Sequence, residues 1–530
     1  MSTQQVLIKD TTLRDGEQCP GGRFTSDQKL QLAIALLNAG VDRLEVASAT
    51  VRGDEEPFAR IAAWAKANGH LGRIEALGFI NERSIDWIVE HGGAGSIVNL
   101  LGKGSRRHCV EHLKREPQQH WDDIKRVAAY ARERGLTVQL YLEDWSQGML
   151  ATVPGEKGRQ VPDPYVREMV ASLLDRQPNV GRIILCDTLG VLRPSQVFDG
   201  IRNVRTWVRA KLPVSFHGHN DFGLATANCL AAMRGGADTV DVTVNGLGER
   251  AGNACLHEVV EALRLCGRSV RIPRSVLREL SEMVSIFSRR RLPPNAPIVG
   301  RDVFHNTAGI HADGDAKGEL YVPDARRPEA YGAHLTHTLG KLSGKASVRS
   351  NCRQLGLQLD DAQVTELHQR VLALSESKPW VTVGDLQLLA AELLGRPDLV
   401  VFEVLLETGR AGWEGMDGAS FRGQVRFRGT VHDVAGSGDG EFNAFIQAVR
   451  GLSATQQLRL PTLVDYEVVI PPTPSSPTDS SAALTQAVIT WEYSESGTRF
   501  ITAGVDTNQV RAAIKAAAQA INLANTNGIR

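Results

Sequence analysis

Apolar positions change their spacing in a regular way along the first half of the chain. A short apolar or β-branched run is followed by a stretch with apolar residues at i, i+3 and i+4, and then by another short run. The runs Val6–Ile8, Arg43–Ala47, Arg73–Phe79, Ser96–Leu101, Thr137–Leu142, Arg182–Cys186, Val214–His217 and Thr239–Val244 predict strands. The intervening stretches Ser26–Ala39, Glu55–Ala67, Glu82–His91, His120–Arg134, Tyr165–Asp175, Pro194–Arg209, Leu224–Arg234 and Cys255–Leu265 predict helices, as Leu30, Ile34 and Leu37 illustrate in the first. Ser26 with Lys29 and Asp122 with Lys125 mark expected helix starts, neither with a full capping box. Eight strand–helix units in roughly 265 residues match a closed (β/α)8 TIM barrel. A doubly wound open sheet is second choice, since it usually has five or six strands. In a barrel, chemistry belongs at the C-terminal ends of the strands.

Beyond residue 272 the repeat stops. Ser275–Ser288 reads as a helix, followed by the basic run Arg289–Arg291, the Pro-containing segment Leu292–Pro297, and loop-like and helical pieces. This is a linker subdomain, 273–395. From 396 to 530 the expectation is an α+β domain: strands at Leu399–Leu406, Ser420–Arg428, Asp465–Ile470, Ala487–Tyr493 and Arg499–Val505, helices at Phe442–Leu452 and Gln509–Leu523. Pro471–Ser481 is expected to be a loop, because prolines cannot donate ladder hydrogen bonds.

The length of 530 residues fits two or three domains and lets the chain bury roughly three quarters of its unfolded surface. Sixty basic and sixty acidic residues cancel, which argues against nucleic acid or an anionic membrane as main partner. The seven cysteines include no CxxC pair, and their odd number argues against a disulfide framework. MSTQQVLIKD has no apolar signal core and no run approaches a membrane span, so a cytoplasmic protein is expected.

Polar residues gather at the strand ends. The first strand runs into Asp10, Thr11, Thr12, Leu13, Arg14 and Asp15, the fifth ends in Glu143 and Asp144, and the sixth in Asp187 and Thr188. The seventh ends in His217-Gly218-His219, and the eighth leads to Asn253. His217 and His219 stand two apart on a strand end, so both imidazoles face one side. With Asp15 and Asn253 they form a mixed N/O donor set suited to Zn2+, Mn2+, Co2+ or Mg2+. The bland alternatives are a chance HxH, a solvated Arg14–Asp15 pair and a Glu143 that merely pairs with a cation. Functionally, Arg14 would grip a carbonyl or carboxylate and Glu143 would transfer a proton. Gly246, Gly248 and Gly252 follow GxGxxxG rather than GxGxxG, so they bind no dinucleotide and instead let the loop approach the site closely. His311 lies outside the barrel repeat and acts only if its segment covers a barrel mouth.

TTLRDGEQ, FHGHND, NGLGERAGN and AGIHADGD, in that order and ahead of a C-terminal α+β domain, resemble the metal-dependent acyltransferases that condense acetyl-CoA with a 2-oxo acid. That family includes the 2-isopropylmalate, homocitrate and (R)-citramalate synthases. EVASATV, NLLGKGS, YLEDWSQG, DTLGVL, APIVGRDVF, LGKLSGKAS and VDYEVVIPP resemble the (R)-citramalate branch with a full regulatory domain. The resemblance implies Claisen-type condensation of acetyl-CoA with pyruvate, then thioester hydrolysis, on the way to isoleucine. It implies that Asp15, His217, His219 and Asn253 hold the divalent metal, and that Arg14, Asp15, Tyr141, Thr188 and Asp313 contact substrate. Glu143 and His311 would move protons, with His311 reaching a partner subunit's site. Leu77, Leu101 and Tyr321 would wall the pocket around the substrate's side chain, leaving room for pyruvate's methyl group.

The same resemblance implies a homodimer and feedback inhibition by a branched-chain amino acid at Asn443, Leu463, Tyr466, Ile470, Thr485, Thr507 and Gln509. Asn443, Thr485 and Thr507 depart from the isoleucine-sensing pattern, and Glu319 stands where asparagine is usual. Met149–Asp163 is longer than the corresponding connection in relatives and is read as a disordered insertion rather than a lid. The rival readings are 2-isopropylmalate synthase, a related carbon–carbon lyase, and a catalytically inactive amino-acid sensor.

Overall fold

The computed structural model describes residues 5–49, 51–156, 159–174, 179–209, 211–378, 381–407, 418–469, 484–493 and 497–526. The chain divides into two compact units, 1–303 with 329–332, and 304–328 with 333–530.

The first unit is a closed parallel barrel. Its strands are β1 (Leu7–Asp10), β2 (Arg43–Ser48), β3 (Ile74–Gly78), β4 (Ile97–Lys103), β5 (Thr137–Glu143), β6 (Ile183–Asp187), β7 (Val214–Gly218) and β8 (Thr239–Val242). They are hydrogen-bonded in sequence order, and β1 pairs with β8 to close the ring. The helices outside are α1 (Ser26–Asn38), α2 (Glu55–Ala67), α3 (Glu82–Gly92), α4 (Pro117–Glu133), α5 (Tyr165–Leu174), α6 (Pro194–Val208), α7 (Ala225–Gly235) and α8 (Leu256–Leu265). Every strand is buried almost throughout, because one face meets the helices and the other fills the barrel. That double burial produces the near-continuous apolar runs in the sequence. The expected barrel is therefore present, with element ends shifted by a few residues.

Two local expectations are corrected. The cap of α1 is Thr25, which with Gln28 forms a full capping box, and Asp122 lies inside α4, which starts at Pro117. Proline at N1 has the φ a helix needs and loses no hydrogen bond there, so it outcompetes Asp122 as a start. The insertion after β5 is not structureless either. Trp145–Leu150 forms a short helix, and Thr152–Pro154 pairs antiparallel with Gln160–Pro162. Arg106 grips Asp163 at the base of this hairpin through contacts of 2.9–3.2 Å. After the barrel, α9 (Leu277–Ser288) packs in the same unit.

The second unit holds α10 (Gly309–Gly318), α11 (Lys345–Gln354), α12 (Asp361–Ser377) and α13 (Val383–Leu394). Val348, Leu367, Val371 and Leu386 centre the core of α11–α13. Two antiparallel three-stranded sheets follow. One contains β9 (Phe402–Glu407), β10 (Ala419–Phe427) and β11 (Thr430–Gly438); the other contains β12 (Thr462–Val469), β13 (Thr485–Glu492) and β14 (Arg499–Asp506). Strand β11 was not expected. The two residues between β10 and β11, Arg428 and Gly429, both have positive φ, as a tight hairpin turn requires. Helices α14 (Glu441–Gln456) and α15 (Gln509–Asn525) cover the sheets over Phe402, Val425, Phe445, Trp491, Ile514 and Ile521. Pro471–Ser481 and Ile470 lie outside the described residues. Among the described residues no helix is long and apolar enough to cross a membrane.

Candidate active site

Side chains alternate along the barrel strands, so every second residue points into the barrel. Lys9 of β1, Glu45 of β2, Glu75 of β3, Asn99 of β4, Gln139 and Tyr141 of β5 and Asp241 of β8 meet there and are all buried. The Lys9 ammonium lies 2.7 Å from the Tyr141 hydroxyl, 3.0 Å from Glu75 and 3.5 Å from Asp241. Asn99 donates to both Glu45 and Glu75, and Gln139 donates to Glu75. These ionic residues form a polar floor beneath the C-terminal mouth.

Arg14 and Asp15 come from the loop after β1. The Arg14 Nε donates to Glu45 at 2.6 Å, Nη1 to Asp15 at 2.6 Å, and Nη2 to the Tyr141 hydroxyl at 3.2 Å. Three anchored nitrogens fix the guanidinium plane, which a lysine could not reproduce. Burial pushes the Asp15 carboxyl upward, but Arg14 and the two imidazoles outweigh it and hold it at about 2. Asp15 is thus an anion at any physiological pH.

His217 and His219 leave β7 on the same side, and their Nε2 atoms lie 3.4 Å apart. The His217 Nε2 is 3.8 Å from Asp15, and its Nδ1 lies 3.4 Å from Asp241. Burial, and then the neighbouring His217, lower the His219 pKa to about 4, so its ring is neutral and offers a lone pair. Asn253 donates to Asp15 at 2.6 Å, while its buried Oδ1 has no hydrogen-bond partner among the described residues. A carboxylate, two imidazoles and an orphaned amide oxygen converging on one point fit a divalent cation of the N/O-binding kind. The glycines of the β8 loop make this approach possible. A Cβ on Gly248 would sit 2.3 Å from the Asn253 amide, and one on Gly252 would sit 2.0 Å from the Gly246 carbonyl oxygen.

Leu77, Tyr141, Ile184 and Cys186 form an apolar cluster with the half-buried Leu101 packed on it. The Tyr141 hydroxyl is occupied by Lys9, Arg14, Glu45 and Asp241, and its ring packs in this cluster. Glu143, at the end of β5, is bound by the Lys103 ammonium, and His108 lies 3.9 Å away. The Thr188 hydroxyl accepts the Asp144 backbone N–H at 2.9 Å, tying the ends of β5 and β6 together.

The remaining site candidates lie in the second unit. His311 stacks on Tyr321 with ring centroids 4.2 Å apart, and Asp313 pairs with Lys317 at 2.5 Å on the same helix. Among the effector candidates, Tyr466 packs on Phe442 beside Asn443. Leu463 pairs with Trp491, whereas Thr485 pairs with Asp506 beside Thr507 and near Gln509. Trp491 and Thr485 are six residues apart on β13, roughly 20 Å. Of the effector candidates, the described residues thus place Leu463 and Tyr466 on β12, Thr485 on β13 and Gln509 on α15. Sequence reasoning missed Lys9, Glu45, Glu75, Asp241 and Lys103. Their signal was a charged residue at an alternate position of an otherwise apolar buried strand.

The family model HMGL-like matches residues 5–284, Homocitrate synthase post-HMGL domain-like matches 298–379, and the LeuA allosteric (dimerisation) domain matches 381–525. The chain belongs to the HMGL-like family, in the branch of acyltransferases that holds the citramalate and 2-isopropylmalate synthases. It is 34% identical to a putative (R)-citramalate synthase CimA of Methanopyrus kandleri, over 88% of this chain and 86% of that protein. It is also 34% identical to the (R)-citramalate synthase CimA of Methanocaldococcus jannaschii, over 74% of this chain and 75% of that one. A 2-isopropylmalate synthase 2 of Caldanaerobacter subterraneus subsp. tengcongensis is 34% identical over 71% of this chain and 92% of its own length.

Proposed function

We propose that the chain is an (R)-citramalate synthase, joining acetyl-CoA to pyruvate and hydrolysing the resulting thioester to (R)-citramalate and CoA. The observation that carries this reading is the convergence of Asp15, His217, His219 and Asn253 beside the wall formed by Leu77, Leu101 and Tyr141. Asp15, His217, His219 and Asn253 would hold a divalent cation, which when bound supplies a Lewis acid for the keto oxygen of a 2-oxo acid.

Arg14 sits at hydrogen-bond distance from Asp15, so its positive field covers the oxygen on which charge develops. Leu77 and Leu101 bound the space for the oxo acid's side chain, which favours methyl over isopropyl, and Thr188 bounds the site at the end of β6. Glu143 takes the proton from the acetyl methyl group. Lys103, bound to it, sets its direction. His311 would be the proton donor in a partner subunit's site, with Tyr321 stacked on it to hold the ring and Asp313 on the same helix contacting substrate. The 381–525 domain would form a homodimer and bind a branched-chain amino acid that feeds back on the reaction, and the enzyme would work in the cytoplasm.

The test is CoA thiol release from acetyl-CoA with pyruvate, 2-oxoisovalerate or 2-oxoglutarate, with and without chelator. The highest kcat/KM is expected with pyruvate, and activity is lost on chelation. Preference for 2-oxoisovalerate would make it a 2-isopropylmalate synthase, and no turnover with any acid would overturn the enzymatic reading.

A further inference from the structure

The first turn of α8 carries a second group of metal donors that the reaction does not use. Cys255 is the N-cap residue, His257 and Glu258 follow within the turn, and their donor atoms all lie within 4.8 Å of one another. The Cys255 Sγ is 3.1 Å from Nε2 and 3.4 Å from Nδ1 of His257. His257 is only 3% exposed, and the thiol is the one polar partner of its ring nitrogens among the described residues. A buried imidazole normally has a strong partner at each nitrogen, and a thiol is a weak one. Glu258 is held in place by the Thr226 hydroxyl of α7, which donates to it at 2.8 Å.

We propose that Cys255, His257 and Glu258 bind a second, thiophilic divalent cation, Zn2+ by preference. Sulfur, imidazole nitrogen and carboxylate oxygen are a donor set that zinc accepts in tetrahedral geometry, with water in the fourth position. Sγ ligates as the thiolate, its proton passing to solvent. The cation would clip the start of α8 to α7 through Glu258 and Thr226. It is a structural centre, distinct in chemistry from the sulfur-free group of Asp15, His217, His219 and Asn253.

That difference makes the test direct. The full-length protein is stripped of metal and titrated with Co2+, with absorption spectra and bound cobalt per chain both recorded. Two Co2+ per chain and a near-ultraviolet thiolate-to-cobalt charge-transfer band are expected, because an N/O centre gives no such band. Cys255→Ser, which can still cap the helix, should lose the band and one Co2+ while keeping the other and its turnover with acetyl-CoA. His257→Ala should likewise bind one. His217→Ala should keep the band while losing the other ion, whatever substrate the enzyme uses. Absence of the band in the unsubstituted protein, or its persistence in Cys255→Ser, would overturn the proposal.

Discussion

Replacing Leu101 by alanine probes the pocket wall without touching any charged group. Leu101 packs on Leu77, Tyr141, Ile184 and Cys186, and is half-buried where they are buried. 2-Oxoisovalerate carries two more carbons than pyruvate. Burying them stabilises the complex by about 0.8 kcal/mol each, or about 1.6 kcal/mol, once there is room. Forcing them against an intact wall instead costs ~1–3 kcal/mol. Leu→Ala removes three carbons, one more than the substrate adds. The ratio of kcat/KM for 2-oxoisovalerate to that for pyruvate should therefore rise at least about 15-fold, and up to roughly 2,000-fold where the clash is relieved as well. Because Leu101 is partly exposed, the folding cost should lie near the lower end of the usual ~2–5 kcal/mol, and a thermal melt checks that the variant is folded at the assay temperature. If the ratio stays within about twofold of its original value in a folded Leu101→Ala protein, and in Leu77→Ala as well, these residues do not face the oxo acid's side chain.

His217→Ala should reduce turnover by roughly 1000-fold while circular dichroism stays unchanged; added Mn2+ should rescue chelated wild type but not the variant, and rescue of both would remove His217 from the ligand set. Glu143→Gln should lower kcat by ~100- to 10,000-fold with little change in KM, and Lys103→Met should lower kcat less; an unchanged kcat in Lys103→Met would sever Lys103 from Glu143. His120, buried beneath β4, accepts the Lys103 backbone N–H at 3.0 Å, and burial followed by the Lys103 charge lowers its pKa from 6.5 to about 4. Between those values the unfolded chain holds a proton that the native chain does not, so stability falls on acidification from pH 6.5 towards 4. The 2.5-unit difference corresponds to on the order of 3 kcal/mol. Denaturant midpoints of His120→Gln should lose less than those of wild type between pH 7 and 5, and parallel losses would show that His120 is not responsible.

The barrel was legible because its strands are buried on both faces and its helices on one, which writes two different periods into the sequence. The convergence of Asp15, His217 and His219 was legible for a related reason. A histidine pair two residues apart at the end of a β-strand can only face one way, and Asp15 and Asn253 lie in loops that the barrel topology brings to the same rim. The ionic floor was not legible, because Lys9, Glu45, Glu75 and Asp241 read singly as solvated residues. Their burial depends on partners far away in sequence, as the pairs Lys9–Glu45, Lys9–Glu75 and Lys9–Asp241 inside the barrel show. Strand β11 was missed because its polar residues, Thr430, His432, Asp433 and Ser437, mask the alternation, and the signal lay in the Arg428–Gly429 turn. The hairpin at 152–162 was missed because Pro154 and Pro162 read as breakers, though both sit at strand ends where no ladder donor is needed.

The ionic floor also explains why the rim can be built accurately. Buried ion pairs contribute little net stability, because desolvation offsets their attraction, and a well-packed apolar layer of equal volume would fold as well. What an apolar layer could not do is orient a guanidinium and an imidazole. Glu45 fixes Arg14 at 2.6 Å, and Arg14 in turn fixes Asp15. Asp241 faces the Nδ1 of His217 and leaves its Nε2 turned towards His219 and Asp15. Lys9 balances Asp241 and Glu75 and supports the Tyr141 hydroxyl between them. Arg14 and His217 are thus held by charged residues one layer below, so their directions are set before any ligand arrives. Removing one member of the floor should then cost more in activity than in folding: Glu45→Gln keeps the volume and one hydrogen-bond acceptor, yet releases the Arg14 plane on which Asp15 depends.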